Sequence, residues 1–276
     1  MATQTAALTA PTVEGATFSL TPVLSLWSRE VVRFYRQKSR VIGIIASPVL
    51  FWIVMGSGFG TSFRNQGAAT NQHYMAFFFP GALIMIVLFT AIFTMMSVIE
   101  DRNEGFLKSV MVAPVHRSVI VLGKILGGTT LATIQGLIFL IFAPFMGVHF
   151  GVEQSLLIAL TIFLVAFSLT ALGFAIAWPM DSTQGFHAII NLFLIPLWLL
   201  SGSLFPLSGA SFWVRIVMRI NPLTYGTEAL RALLFPASAS PDFPVDFCLA
   251  ILGVFTAIMF TLAFAVANRR TTKPAA

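Results

Sequence analysis

Residues 76–118 read AFFFPGALIMIVLFTAIFTMMSVIEDRNEGFLKSVMVAPVHRS. The stretch carries no charge until Glu100. Then Glu100, Asp101, Arg102, Glu104, Lys108 and Arg117 follow in quick succession. A run of about 20 apolar residues suffices to cross the roughly 30 Å of hydrocarbon in a bilayer. Residues 76–99 therefore read as a membrane span, and the charge behind them as its water-facing connection.

The rest of the chain follows the same pattern. Of its 276 residues, 57% are apolar and only 9% charged, where a soluble domain carries about 25% charge. No soluble core could absorb that surplus, because a globular exterior must stay polar. Six segments meet the span criterion: 41–60, 76–99, 119–146, 155–178, 188–206 and 247–267. The fold class expected is an all-α membrane protein with six transmembrane helices. None of the six carries a charge in its middle; Lys124, near one end of the third, is expected to snorkel toward water.

The formal charge of +6 would suggest nucleic acid in a soluble chain. Here the basic residues flank the spans, so no nucleic-acid partner is expected, and the bilayer itself explains them. Twelve fall on one side: Arg29, Arg33, Arg36, Lys38, Arg40, Arg102, Lys108, Arg117, Lys124, Arg269, Arg270 and Lys273. Four fall on the other: Arg64, Arg215, Arg219 and Arg231. Six spans with both termini cytoplasmic satisfy the positive-inside rule, and residues 99–118 become cytoplasmic. The N-terminus lacks the basic and apolar regions of a signal peptide. Cys248, the single cysteine, excludes an internal disulfide or a cysteine metal cluster.

Residues 1–21 read as a disordered cytoplasmic segment and 22–40 as an amphipathic helix. Leu24, Trp27, Val31 and Phe34 share one face of it, with Arg29, Arg33, Arg36 and Arg40 on another. Such a helix suits the headgroup layer. On the outer side, 207–246 holds two helical pieces too short to cross, read as re-entrant or interfacial. Asn221 and Pro222 form a helix start there, and Glu228 lies three residues before Arg231. The transmembrane domain spans 41–267, and 268–276 is a cytoplasmic tail. After span two, Glu104 and Lys108 at i, i+4 support a short helix that Pro114 stops. Acidic groups contribute little to topology, so Glu100, Asp101 and Glu104 point to docking of a cytoplasmic protein.

These residues carry a resemblance. E-D-R-x-x-G-x-L-x-x-x-x-x-x-P at 100–114, then R-S-x-x-x-x-G-K at 117–124, resembles the permease subunits of ATP-binding-cassette type-2 exporters. NPLTYGTEALRALLFP at 221–236 is similar to that family's second hallmark, and the daunorubicin-resistance and nodulation-factor permeases are the nearest subgroup. The resemblance implies a coupling helix at about 101–113, with Glu100, Asp101, Arg102, Glu104, Gly105, Phe106 and Lys108 engaging a separate P-loop ATPase. Phe106 stands where many relatives carry a small or acidic residue. Trp27, Arg29, Arg33 and Arg36 would belong to an interfacial connecting helix, and Asn221, Pro222, Tyr225, Glu228 and Arg231 to an outer re-entrant motif. A second permease copy, identical or not, would pair with this one in a bacterial inner membrane. ATP and Mg would be bound by the partner subunit, not by this chain.

The residues agree on the energy source. No G-x-x-x-x-G-K-[ST] motif occurs; LGKILGGTT lacks its order. The spans offer no mid-membrane ionisable group for an ion-driven carrier, Gln135 and Asn191 being their most polar side chains. The histidines His73, His116, His149 and His187 read as interfacial, with no metal-site spacing, and Ser208 as a helix cap. Thr129, Thr133 and Gly136 suit helix packing or a substrate path. Phe77, Phe78 and Phe79 suit lipid or a lipid-like substrate. Pro48 and Pro196 are candidate kinks, with Pro196 a candidate hinge. A scaffold that recruits a cytoplasmic protein without transport is the alternative function.

Overall fold

The computed structural model describes residues 20–59, 74–112, 116–148, 151–236 and 242–269. Most of segments 1–21 and 268–276 lies outside these residues, as do Arg64, His73 and His149; so do the side chains of Arg40 and Lys108. Among the described residues all regular secondary structure is helical, with no strand. In order come α1 (Leu20–Arg36), α2 (Lys38–Phe59), α3 (Tyr74–Thr94), α4 (Met96–Asn103), α5 (Phe106–Val112) and α6 (Arg117–Phe139). Then follow α7 (Val152–Ala177), α8 (Thr183–Trp198), α9 (Phe212–Ile220), α10 (Pro222–Leu234) and α11 (Val245–Asn268).

Six helical segments are long and apolar enough to cross a membrane: Val41–Phe59, Tyr74–Asn103, Arg117–Met146, Val152–Ala177, Thr183–Ser203 and Val245–Asn268. They match the six expected spans, the second being extended by α4. Span two is the centre of the bundle, with 78% of its apolar window buried, against 11% for α11 and 22% for α2. A helix that is apolar all round belongs inside a bundle, and α3 packs on α2, α6 and α7. Phe77, Phe78 and Phe79 are accordingly buried. They form an aromatic core in which Phe79 lies 5.5 Å from Trp52 and 4.8 Å from Phe139. The expectation that they face lipid or substrate is corrected: the surface they cover belongs to neighbouring helices.

Glycine lets these helices approach. A Cβ at Gly136 would stand 2.9 Å from both Val87 and Ile162, so this part of the Thr129–Thr133–Gly136 stripe serves packing. Pro48 is buried inside an uninterrupted α2, and α8 runs through Pro196 to Trp198. The fifth span breaks further on, at Leu200 and Gly202, where Gly202 adopts φ 77°.

The ends of the bundle are defined by contacts. Arg102 reaches the backbone after α7, and Arg117 donates to Ala267 O at 3.2 Å. The α4–α5 elbow, the α7–α8 turn and the close of α11 thus share one end. At the other, the Trp52 indole donates to Met75 O and the Tyr74 hydroxyl to Leu204 O, joining α2, α3 and the broken span near α10.

Candidate functional site

The site at the α4–α5 end is built on a close helix pair. α1 and α6 run side by side in the same direction: Leu26 sits over Gly123, Glu30 over Gly127, and Phe34 packs with Leu131. A Cβ on Gly123 would stand 2.6 Å from Leu26 Cβ, and one on Gly127 2.7 Å from Glu30 Cβ. The two glycines, four apart, are what lets α1 lie this close. The Trp27 indole, expected among headgroups, donates to Thr130 Oγ1 at 3.0 Å.

The buried face of α1 is Val23, Leu26, Glu30 and Phe34, while Leu24 is exposed. The expected face is therefore rotated, because Arg29 and Arg33 turn toward the acids of α4 and Arg36 stays exposed. Glu30 Oε1 is 2.7 Å from Lys124 Nζ, and Glu30 Oε2 accepts from Ser97 Oγ at 2.7 Å. Lys124 also donates to Asp101 Oδ2 and, at 3.0 Å, to Ser97 Oγ. Lys124 does not snorkel; neither it nor Asp101 is exposed at all. A lysine this deep must neutralise something, since an unpaired buried charge is far more costly than a paired one.

Asp101 is the hub. Arg29 grips it through two parallel bonds of 2.8 and 2.9 Å, and Arg33 adds one of 2.6 Å. Arg33 also pairs with Glu100 at 2.9 Å and approaches Glu104 at 3.6 Å. The hydrogen bond to Asp101 raises Arg29 above its ordinary value, keeping it cationic. Its guanidinium lies 3.7 Å over the Phe106 ring. Arg102 leaves the cluster on the other side, donating to Trp178 O and, at 2.9 Å, to Met180 O.

The expected single helix over about 101–113 is two pieces. α4 ends at Asn103 and α5 begins at Phe106, with Gly105 at φ 80° between them. That left-handed turn is open to glycine at little cost. It separates Glu104 from Lys108, so the i, i+4 spacing does not operate within one helix. The elbow projects Glu104, whose side chain is 61% exposed. Asp101, Glu100, Arg102 and Phe106 are turned inward to different degrees. Sequence reasoning missed Glu30 and Ser97, and gave Lys124 only a snorkelling role. The available signal was Glu30 occupying an apolar stripe position, together with the glycine pair flanking Lys124.

The expected outer motif assembles at the α10 end. Asn221 caps α10 by accepting from Leu223 N at 3.0 Å, Pro222 holds the first position, and Glu228 pairs with Arg231. Tyr225 donates to Arg219 O at 2.7 Å and lies 5.2 Å from the Phe243 ring. Ser208 lies in the short turn Leu207–Gly209 before α9 and does not cap it; Ser211 stands at that position. Of the described histidines, His116 caps α6, accepting from Ser118 N, and His187 lies 5.3 Å from the Phe93 ring.

The ycf38 chain of Cyanophora paradoxa, named as a transport permease, is 28% identical over 89% of this chain and 88% of its own length. The daunorubicin resistance ABC transporter permease protein DrrB1 of Streptomyces coeruleorubidus is 23% identical, over 86% of this chain and 83% of its own. The inner membrane transport permease YadH of Escherichia coli K12 is also 23% identical, over 89% and 94%. The ABC-2 type transporter family matches residues 21–235, from the start of α1 to the end of α10, and this chain belongs to that family.

Proposed function

We propose that this permease is the membrane-spanning subunit of an ATP-driven exporter whose ATPase is a separate P-loop protein. The observation that carries the reading is the elbow at Gly105. Glu104 and, on α5, Ser109 face outward at the elbow, while Leu107 anchors α5 in the core and the residues just before the elbow are bonded into α1, α6 and the turn after α7. A push on α5 is thereby passed to three other elements at once. Glu104, Gly105 and Lys108 are the docking end of the expected coupling segment; Glu100, Asp101, Arg102 and Phe106 are its struts.

ATP and Mg act on the partner, which closes around nucleotide and displaces α5. Two permease copies enclose the path, and the excess of basic residues on one side puts both termini in the cytoplasm. The bilayer is a bacterial inner membrane, a reading supported by kinship with the inner membrane transport permease YadH. The substrate class is amphipathic or lipid-like, a reading supported by the kinship with a daunorubicin resistance permease.

The test is co-purification from the native host, comparing wild type with Glu104→Lys. A P-loop ATPase recovered with wild type and lost with the variant is the expected result. Recovery of both alike removes the docking role of Glu104. Recovery of a cytoplasmic protein without ATPase activity instead makes the chain a scaffold.

A further inference from the structure

The fifth span does not run straight out of the bundle. After Trp198 it loosens into a wide turn over Leu199–Ser203, with Leu200 at φ −91°, ψ 23° and Gly202 at φ 77°. Such a break frees carbonyls that a regular helix would satisfy, and an unpaired buried carbonyl is costly in an apolar bundle. Pro206 sharpens the problem, because the residue four beyond Gly202 has no N–H to offer.

The donors come from α10. Asn221 Nδ2 donates to Leu197 O at 2.6 Å and Leu200 O at 3.0 Å. Arg231 Nη2 donates to Gly202 O at 2.7 Å, while Nη1 pairs with the buried Glu228. The same guanidinium lies 4.4 Å over the Phe77 ring of α3. α3 also meets the break directly: the Trp198 indole donates to Gly81 O at 2.8 Å, and a Cβ on Gly81 would collide with Ser203. In transporters that run on ions, the carbonyls of broken helices, at the negative end of the helix dipole, hold the coupling cation. Here a side chain fills that place.

We propose that Arg231 is a positioning residue whose guanidinium acts as a tethered cation on the open carbonyls of the broken fifth span. With Asn221 it fixes the break, α10 and the first turns of α3 into one body. The site left by truncating Arg231, lined by Glu228, Gly202 O and Phe77, takes a free guanidinium ion. This holds whether or not the ATPase reading above is right.

The experiment is amide hydrogen exchange on the full chain in lipid nanodiscs, for wild type, Arg231→Ala, Arg231→Lys and Asn221→Ala. Millimolar guanidinium chloride is the probe, with sodium chloride at equal ionic strength as control. Arg231→Ala is expected to speed exchange over 197–206 by about tenfold or more, the loss of one charge-assisted hydrogen bond. Amides of α1 and α4 stay as protected as in wild type. Guanidinium slows the loosened segment again, sodium does not, and Arg231→Lys lies between. Wild-type exchange in Arg231→Ala overturns the proposal. So does equal slowing by sodium, or a lysine variant as loose as alanine. Should Arg231→Ala fail to fold, Asn221→Ala decides: faster exchange confined to 197–206 supports the fixed break, and unchanged exchange refutes it.

Discussion

The two ends of the bundle bury charge in opposite ways. At the α4–α5 end, Glu30, Asp101 and Lys124 meet from three helices, flanked by Arg29, Arg33 and Glu100. Nearly every bond there joins one side chain to another across helices. At the α10 end, a single pair three residues apart on one helix spends its spare donor on a backbone carbonyl. The first arrangement couples elements that must keep a relative position; the second repairs the backbone of one element. Charge at the elbow therefore ties separate helices together, and charge at α10 holds a break.

Lys124→Met gives the largest expected effect. It removes the buried cation between Glu30 and Asp101, leaving only the half-buried Arg29 in contact with both, and removing one partner of a buried ion pair costs about 3–5 kcal/mol. Thermal unfolding in detergent should show it, and adding Glu30→Gln should recover part of the loss. The contrast predicts a smaller loss for Glu228→Gln, since Arg231 keeps Gly202 O and the Phe77 ring. Equal losses at the two positions would erase the distinction between the ends.

Gly127→Ala comes next. Its methyl group would stand 2.7 Å from Glu30 Cβ, forcing α1 away from α6 at about 1–3 kcal/mol, the usual cost of overpacking. Gly253→Ala in α11 is the matched control, because nothing lies within 4 Å of its Cβ. There the substitution should be neutral or slightly stabilising, as alanine is the better helix former. A control as damaging as Gly127→Ala would show that the close approach of α1 to α6 does not matter.

How much of this could be read in advance depended on the range of the interaction. Span length is a local property of apolar runs, so Val41–Phe59 and Val245–Asn268 fall within a few residues of their expected bounds. The start of α10 is equally local, since Asn221 supplies the cap and Pro222 the first turn. The bond between Glu30 and Lys124 joins residues 94 apart, and no periodicity within either helix states that partnership. The rotation of α1 follows from it: Leu24, Trp27, Val31 and Phe34 make a plausible apolar face only while Glu30 has no cation waiting. Gly105 misled for another reason. Glu104 and Lys108 carry the right spacing for a helical pair, but a glycine between them leaves the backbone free to turn, and the Arg29 and Arg33 contacts hold Asp101 and Glu100 on the far side of that turn. The core position of Phe77–Phe79 was legible in principle, because α3 is apolar on every face.

The smallest effects test where each end bends. Gly105→Ala places a side chain at φ 80° with nothing within 4 Å, so its cost is the local left-handed penalty of about 1–2 kcal/mol. The loss should leave the ion cluster intact while weakening whatever α5 contacts. In the fifth span, Gly202→Ala carries the same penalty, at φ 77°, directly at the break. Pro196→Ala should change stability by less than about 1 kcal/mol. The proline sits inside a helix that continues to Trp198, so alanine restores one helical N–H and removes little packing. Melting curves for the three variants, measured side by side, decide between proline and glycine as the source of the bend. If Pro196→Ala shifts the transition more than Gly202→Ala, the span bends at its proline. The bonds from Asn221 and Arg231 then only follow a kink made elsewhere. If the order is as expected, the bend is set at Gly202 and held from α10, and Pro196 is not the hinge.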